Sequence, residues 1–322
     1  MIARALAQLI FAASLFSVAP VDASLLENQV SAAPIPLDAA HFLLASGYSH
    51  LSPAAERTTP PPKKVVSNSF GVVTSADSSI VVDAKSGATL YAEKPDDVRP
   101  MGSITKLMTA VVFLDTHPDL ASTVKLVSDD YVGGGRTYLK FDDGVKLRDV
   151  LGTALVGSDN TAAHALARLS GMTDEDFVKK MNEKARELRM AQSVFVDPSG
   201  ISSENVSTAR DLSQLLLAAQ HSEVLRKFMV SPTFTPTQSS GFSVNIESTN
   251  LLLGSGANSA YQVMAGKTGY IPQAGYCLAT VIEHDGNSVV IVVLGAQKID
   301  DRFTDAKNLA VWAFKTFVWP KP

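Results

Sequence analysis

Three short polar motifs follow one another along the 322-residue sequence: Ser103-Ile-Thr-Lys106, Ser158-Asp-Asn160 and Lys267-Thr-Gly269. Together they supply a hydroxyl nucleophile, an amine able to act as its base, a second hydroxyl to relay a proton and a cation to clamp an anion. That is the equipment of acyl transfer. Taken singly, each motif is weak. Ordinary composition gives about one Ser-x-x-Lys in a chain of this length, and Ser122-Thr-Val-Lys125 is a second copy. Ser-x-Asn recurs at Ser203-Glu-Asn205 and Ser243-Val-Asn245, whereas Lys-Thr-Gly occurs once.

Context separates the copies. Arg99-Pro-Met-Gly102 breaks the chain before a strongly apolar run to Leu114, which places Ser103 at a helix start. Residues three apart share a helix face, so the Lys106 amine reaches the Ser103 hydroxyl, and the helix N-terminus favours negative charge there. Ser122–Lys125 lies instead in a polar, strand-like segment. Ser158-Asp-Asn160 interrupts two helical runs and is expected on an exposed turn; the plain alternative is a helix cap, with Asp159 capping the helix at Thr161. For Lys267-Thr-Gly269, at the end of a strand-like segment, the plain alternative is a β-turn with a solvated lysine. The cap and the catalytic reading of Ser158-Asp-Asn160 can hold at once, with Asp159 capping, and the joint occurrence, at spacings of 55 and 109 residues, favours catalysis for the three motifs together.

The elements that must position these motifs are legible in outline. Ser78–Asp83 reads as a strand, Lys85-Ser-Gly87 as a turn and Ala88–Glu93 as the returning strand. Helical runs are expected at Leu147–Val156, Thr161–Leu169, Glu175–Leu188 and Ala209–Gln220. Strands follow at Val263–Lys267, Tyr276–Glu283 and Ser288–Gly295, the last two joined by Asp285-Gly286. An amphipathic helix is expected from about Thr304 to Val318. Strands, helices, strands and a final helix suit an α/β (α+β) fold: an antiparallel sheet with strands from both ends of the chain, flanked by helices.

Residues 1–23 read as an export signal, with Arg4, an apolar stretch from Ala5 to Ala19 and Val21-Asp-Ala23 as a cleavage site. That run is shorter than the roughly 20 residues a membrane span needs, which disfavours an uncleaved anchor. Residues 24–66, rich in Ala, Ser and Pro, read as a tether. Residues 67–322 are expected to form one catalytic domain. The net charge of −4 and pI near 5.9 offer no basic face for nucleic acid. Cys277, the only cysteine, reads as a buried structural thiol, and the six histidines show no metal-ligand spacing. No cofactor or metal is expected. Gly133-Gly-Gly135 lacks the lysine of a phosphate loop and reads as a flexible loop beside the cleft.

The motif triple, with Arg99–Ala110, Asn205-Val-Ser-Thr-Ala-Arg-Asp-Leu212 and Lys267–Cys277, resembles the low-molecular-mass penicillin-binding proteins. These are serine DD-peptidases that trim peptidoglycan, and the similarity is greatest to their short endopeptidase branch. It extends from about Ser78 to Phe317. It implies a serine β-lactamase/DD-peptidase-like fold with a helical subdomain, a periplasmic or otherwise extracytoplasmic location, peptidoglycan stem peptides as substrates and β-lactams as covalent inhibitors. Because the sequence stops soon after the last helical run, the extra C-terminal β domain and amphipathic tail of many carboxypeptidase relatives are not expected, and neither is peripheral membrane contact.

The resemblance also implies roles. Ser103 would attack a D-Ala carbonyl, Lys106 would act as base, and Ser158 would bridge the two lysines and pass a proton to the leaving amine. Asn160 would position the substrate amide, Lys267, Thr268 and Gly269 would form the substrate-binding strand, and the Ser103 and Tyr270 amides would hold the oxyanion. Asn250 and Arg210 are weaker candidates, the latter better explained by a salt bridge. A neutral Lys106 requires its pKa to fall from near 10.4 to about 7, roughly 4.6 kcal/mol; burial and repulsion from Lys267 are the available sources. Two alternatives remain. A class A β-lactamase needs a Glu-x-x-Leu-Asn segment, and Ser193–Ile201 contains none. A silent peptidoglycan-binding homologue would be expected to have lost a motif residue, and all are present.

Overall fold

Strand β1 (Ser78–Asp83) is buried at every position. Its apolar residues divide by the period of two that a pleated strand imposes: Ile80 and Val82 enter one core, Val81 the other. The turn at Lys85-Ser-Gly87 is held by Asp83, whose Oδ2 accepts bonds from Ser86 N and Oγ, and the chain returns as β2 (Thr89–Glu93). Helices α1 (Thr105–Asp115), α2 (Leu147–Val156), α3 (Asn160–Leu169), α4 (Asp174–Glu187), α5 (Ala209–His221) and α6 (Glu223–Met229) follow. Then come β3 (Gln262–Ile271), β4 (Gly275–His284), β5 (Asn287–Ala296) and α7 (Asp301–Thr316). The computed structural model describes residues 59–69, 71–254 and 261–320. The expected export signal and most of the expected tether lie outside them.

The sheet order is β3-β4-β5-β1-β2, antiparallel throughout. The last strand of this sheet thus pairs with its first, Val290 opposite Val82 and Val292 opposite Ile80, as the order of elements in the sequence leads one to expect. The helical block covers one face, with Leu107, Leu151, Phe177 and Leu215 packed in the same core as Ile80 and Val281. Helix α7 covers the other, with Phe303 and Leu309 in the core of Val81, Leu278 and Ile291. A sheet buried on both faces explains why β4 and β5 read as near-continuous apolar runs.

Three expectations need correction. The final helix stops at Thr316, because Phe317 and Val318 pair with Lys64 and Lys63; this ribbon draws part of the stretch read as tether into the fold. The Lys267-Thr-Gly269 motif lies within β3, not at its end, and Lys267 is 1% exposed, which excludes a turn with a solvated lysine. A Cβ on Gly269 would sit 2.2 Å from Met101 O, so only glycine lets β3 lie this close to the turn that carries Ser103. Finally, Asp159 and Asn160 are buried: the Gly133–Gly135 loop packs against Asn160, and Tyr138 N donates to Asp159.

Candidate active site

Arg99 and Pro100 pair with Ser207 and Val206, after which the chain passes through a 3-10 turn, Gly102–Ile104, directly into α1. Ser103 sits on that turn and lines a cleft of about 380 Å³, together with Ser158, Asn160, Thr268 and Tyr270. Lys106 is one helical turn further and buried.

Lys106 Nζ has three partners: Ser103 Oγ at 2.9 Å, Asn160 Oδ1 at 2.7 Å and Ser199 O at 2.6 Å. The Asn160 orientation is fixed by its Nδ2, which donates to Gly133 O at 3.0 Å. The two oxygens of Asn160 and Ser199 can only accept, whereas the Ser103 hydroxyl can donate. A neutral Lys106 therefore spends both N–H bonds on Asn160 and Ser199, and its lone pair faces the Ser103 proton.

Between α2 and α3, Ser158 adopts a left-handed φ of 58°, a strained conformation for a side-chain-bearing residue. Asp159 caps α3, Oδ1 accepting from Ala162 N at 3.0 Å, while its Oδ2 accepts from Tyr138 N at 2.9 Å. The cap and the cleft-facing motif thus coexist, as expected. Lys267 Nζ donates to Ser158 Oγ at 2.8 Å and to Thr268 O at 3.0 Å, so its ammonium form has a third N–H for a ligand. The partners of Lys106 do not include Ser158, so the expected bridge between the lysines is made from the Lys267 side alone.

Burial is the principal cause that lowers the Lys106 pKa to about 7, against opposing pulls from Asp159 and Asp197. Burial also pushes Lys267 well below its ordinary value, and the charges of Lys106 and Arg302 add to it. Desolvation is the larger cause for both lysines, and the repulsion between them falls on whichever is protonated second. Two ammonium groups buried together disfavour double protonation.

Residues with other assignments fall where their chemistry suggests. Arg210 forms a two-point salt bridge with Asp96, at 2.7 and 3.1 Å. Asn250 is buried and accepts from Leu252 N at 3.2 Å. Cys277 is buried. Several contributors escaped the sequence. Ser199 acts through a carbonyl, which no side-chain pattern reveals. Thr249, whose Oγ1 lies 2.6 Å from that of Thr268, and Arg302, which donates to Gly269 O, are too far away in sequence for any spacing rule.

The family described as D-alanyl-D-alanine carboxypeptidase matches residues 64–298. The chain belongs to that family. It is a serine-type DD-peptidase, nearest to the endopeptidase branch. The D-alanyl-D-alanine endopeptidase of Pseudomonas aeruginosa is 34% identical over 73% of this chain and 76% of its own length. That of Escherichia coli is 32% identical over 76% and 79%. Among solved structures, the Streptomyces K15 DD-transpeptidase superposes with a TM-score of 0.71, at 28% identity over 77% of this chain and all of its own. The DD-peptidase fold is shared with that enzyme, and the three motifs occupy one cleft.

Proposed function

We propose that this DD-peptidase hydrolyses D-Ala-containing bonds of peptidoglycan stem peptides through an acyl-enzyme on Ser103. The Ser103 oxygen bonds to the D-Ala carbonyl carbon as its proton passes to Lys106. The C–N bond then breaks, and the leaving amine takes a proton relayed through Ser158. Water hydrolyses the ester in a second step. The observation that carries this reading is the set of three Lys106 hydrogen bonds, which leaves the lone pair nowhere to point but at Ser103.

The remaining roles follow from position. The free N–H of Lys267 and the Thr268 hydroxyl meet the carboxylate on the leaving side; that anion favours the shared positive charge on Lys267, leaving Lys106 neutral. The backbone amides of Ser103 and Tyr270 hold the oxyanion. A Cβ on Gly102 would lie 2.7 Å from Tyr270 N, which supports their adjacency. Each such donor contributes about 3 to 4 kcal/mol in comparable sites. Asn160 holds Lys106 and faces the substrate amide.

Residues 1–23 direct export to the periplasm, the stretch from residue 24 up to the Lys63–Lys64 strand connects, and the domain that follows acts on the wall, where cleavage of cross-links would bear on cell shape. Among the described residues no helix is long and apolar enough to cross a membrane. Kinship with the endopeptidase branch makes cross-linked muropeptides the first substrates to assay against uncross-linked ones.

The test is intact mass of wild type and Ser103→Ala after incubation with benzylpenicillin. A stable adduct on wild type alone is expected. Destruction of penicillin without an adduct would favour the lactamase, and intact penicillin without an adduct a silent homologue.

A further inference from the structure

The segment Ser193–Ile201, notable in the sequence only for lacking a glutamate base, carries the most heavily hydrogen-bonded carboxylate near the cleft. Asp197 Oδ1 accepts from Ser199 N, Ser199 Oγ and Gly200 N, each at 2.7 Å. Its Oδ2 accepts from Ser202 N at 3.0 Å and from the Asn205 amide nitrogen. Five donors saturate a group with about four lone-pair sites. Such a carboxylate has no capacity left to act as a base toward water.

The loop it gathers is pinned from the other side by α1, the helix of Lys106: Thr109 Oγ1 donates to Pro198 O at 2.6 Å. Gly200, at φ +80°, lies so close to the turn of Ser103 that a Cβ would sit 2.1 Å from Gly102 O. The product of this construction is a contact on the base itself, the Ser199 carbonyl on Lys106 Nζ.

We propose that Asp197 is a positioning residue for acylation: by collecting the amides of Ser199, Gly200 and Ser202 it holds the Ser199 carbonyl on Lys106, and so fixes which way the lone pair of that amine faces. The inference rests on Lys106 being the base of Ser103. The charge of Asp197 has a second effect, since a nearby anion favours the ammonium form. Lys106 also faces Asp159 from the start of α3 and Lys267 from β3. His164 of α3 senses both Asp197 and Lys106, and burial holds its ring below the ordinary imidazole range. Asp159 is therefore the anion that remains when Asp197 is neutralised.

The experiment measures the rate of acylation by a fluorescent penicillin against pH, with melting curves, for wild type, Asp197→Asn and the exchange Asp197→Asn/Asn205→Asp. In Asp197→Asn the amide meets donors it cannot accept, so acylation at pH 8 is expected to slow at least about tenfold. The acid limb should move down by about one pH unit, as an anion near a buried amine is lost. The exchange returns a carboxylate to the same hydrogen-bonded pair and is expected to recover most of the rate and the wild-type limb. A limb unmoved in Asp197→Asn overturns the proposal, as does an exchange that folds without recovering rate and limb. Failure of both variants to melt cooperatively also overturns it, by assigning the carboxylate to the fold alone. If wild type itself forms no adduct, or Ser103→Ala does, the reading of Ser103 fails first and takes this inference with it.

Discussion

The Arg302 guanidinium, on the first turn of α7, donates a 3.1 Å hydrogen bond to the carbonyl oxygen of Gly269. That carbonyl shares a peptide plane with the Tyr270 N–H, and across a trans peptide the two point in opposite directions. Holding one aims the other. The same guanidinium nitrogen reaches Cys277 O at 3.4 Å, tying β3 to β4 at this point. Burial lowers the Arg302 pKa to about 10, so it remains charged at neutral pH. Arg302→Ala is expected to slow penicillin acylation about 10- to 100-fold, a partial loss of one oxyanion donor, while an adduct still forms. An unchanged acylation rate in a folded variant would show that the strand aims Tyr270 unaided.

Acylation should follow the deprotonation of Lys106, whose pKa is lowered to about 7. The rate constant is expected to rise about tenfold per unit below pH 7 and to level above it. A profile flat from pH 5 to 9 would contradict a lysine base. Rapid-quench measurement with penicillin, which isolates acylation from hydrolysis, is the suitable readout.

Removing the Lys267 charge acts on the other lysine. In Lys267→Met one buried cation disappears, the Lys106 ammonium becomes easier to form, and the acid limb of acylation is expected to move to higher pH. Binding of a substrate bearing a free carboxylate should weaken in the same variant, whereas an esterified analogue should lose little. Equal losses for acid and ester would argue that Lys267 meets no carboxylate.

Burying Lys106 is costly to the fold. Its folded pKa, about 7, lies below the ordinary 10.5, so between these values the unfolded chain binds the extra proton and stability rises with pH. The deficit is largest below pH 7, at most roughly 5 kcal/mol at 1.36 kcal/mol per unit, and vanishes towards pH 10.5. Lys106→Met, a volume-conserving change, is expected to melt higher than wild type, with the gap widest at pH 6 and narrowing by pH 9. Melting curves at the two pH values decide it; a gap that grows with pH would reverse the sign.

Gly269→Ala places a methyl group where Met101 O stands 2.2 Å away, a backbone contact that no rotamer relieves. Loss of acylation is expected even where the variant still folds, because β3 must withdraw from the Ser103 turn. Normal acylation by Gly269→Ala would mean that the strand and turn tolerate separation.

Much of the sheet was legible because its strands are apolar and bounded by turn residues, and β5 and β1 pair as the order of elements implied. The ends of elements were less so. Phe317 and Val318 continue the amphipathic pattern of α7, and only their pairing with Lys64 and Lys63 stops the helix. The motif residues could be singled out because their chemistry is carried by side chains in recognisable spacing. What surrounds them could not: Ser199 contributes a carbonyl, Asp197 works through backbone amides, and Arg302 reaches Gly269 from a helix 33 residues away. Burial of Asn160 was equally hidden, since it depends on where the Gly133–Gly135 loop lies.

The pairing of β5 with β1 has a consequence in time. Ser103 is made early, but the strand that carries Lys267 joins the sheet through β4 and β5, and β5 is held by β1. Contacts that close a loop of some two hundred residues form slowly, and here they cannot form until residue 296 has been synthesised. A growing chain therefore carries its nucleophile through some two hundred further residues of synthesis without a working lysine partner on β3. The enzyme is born unarmed, and becomes reactive only once β5 has been made.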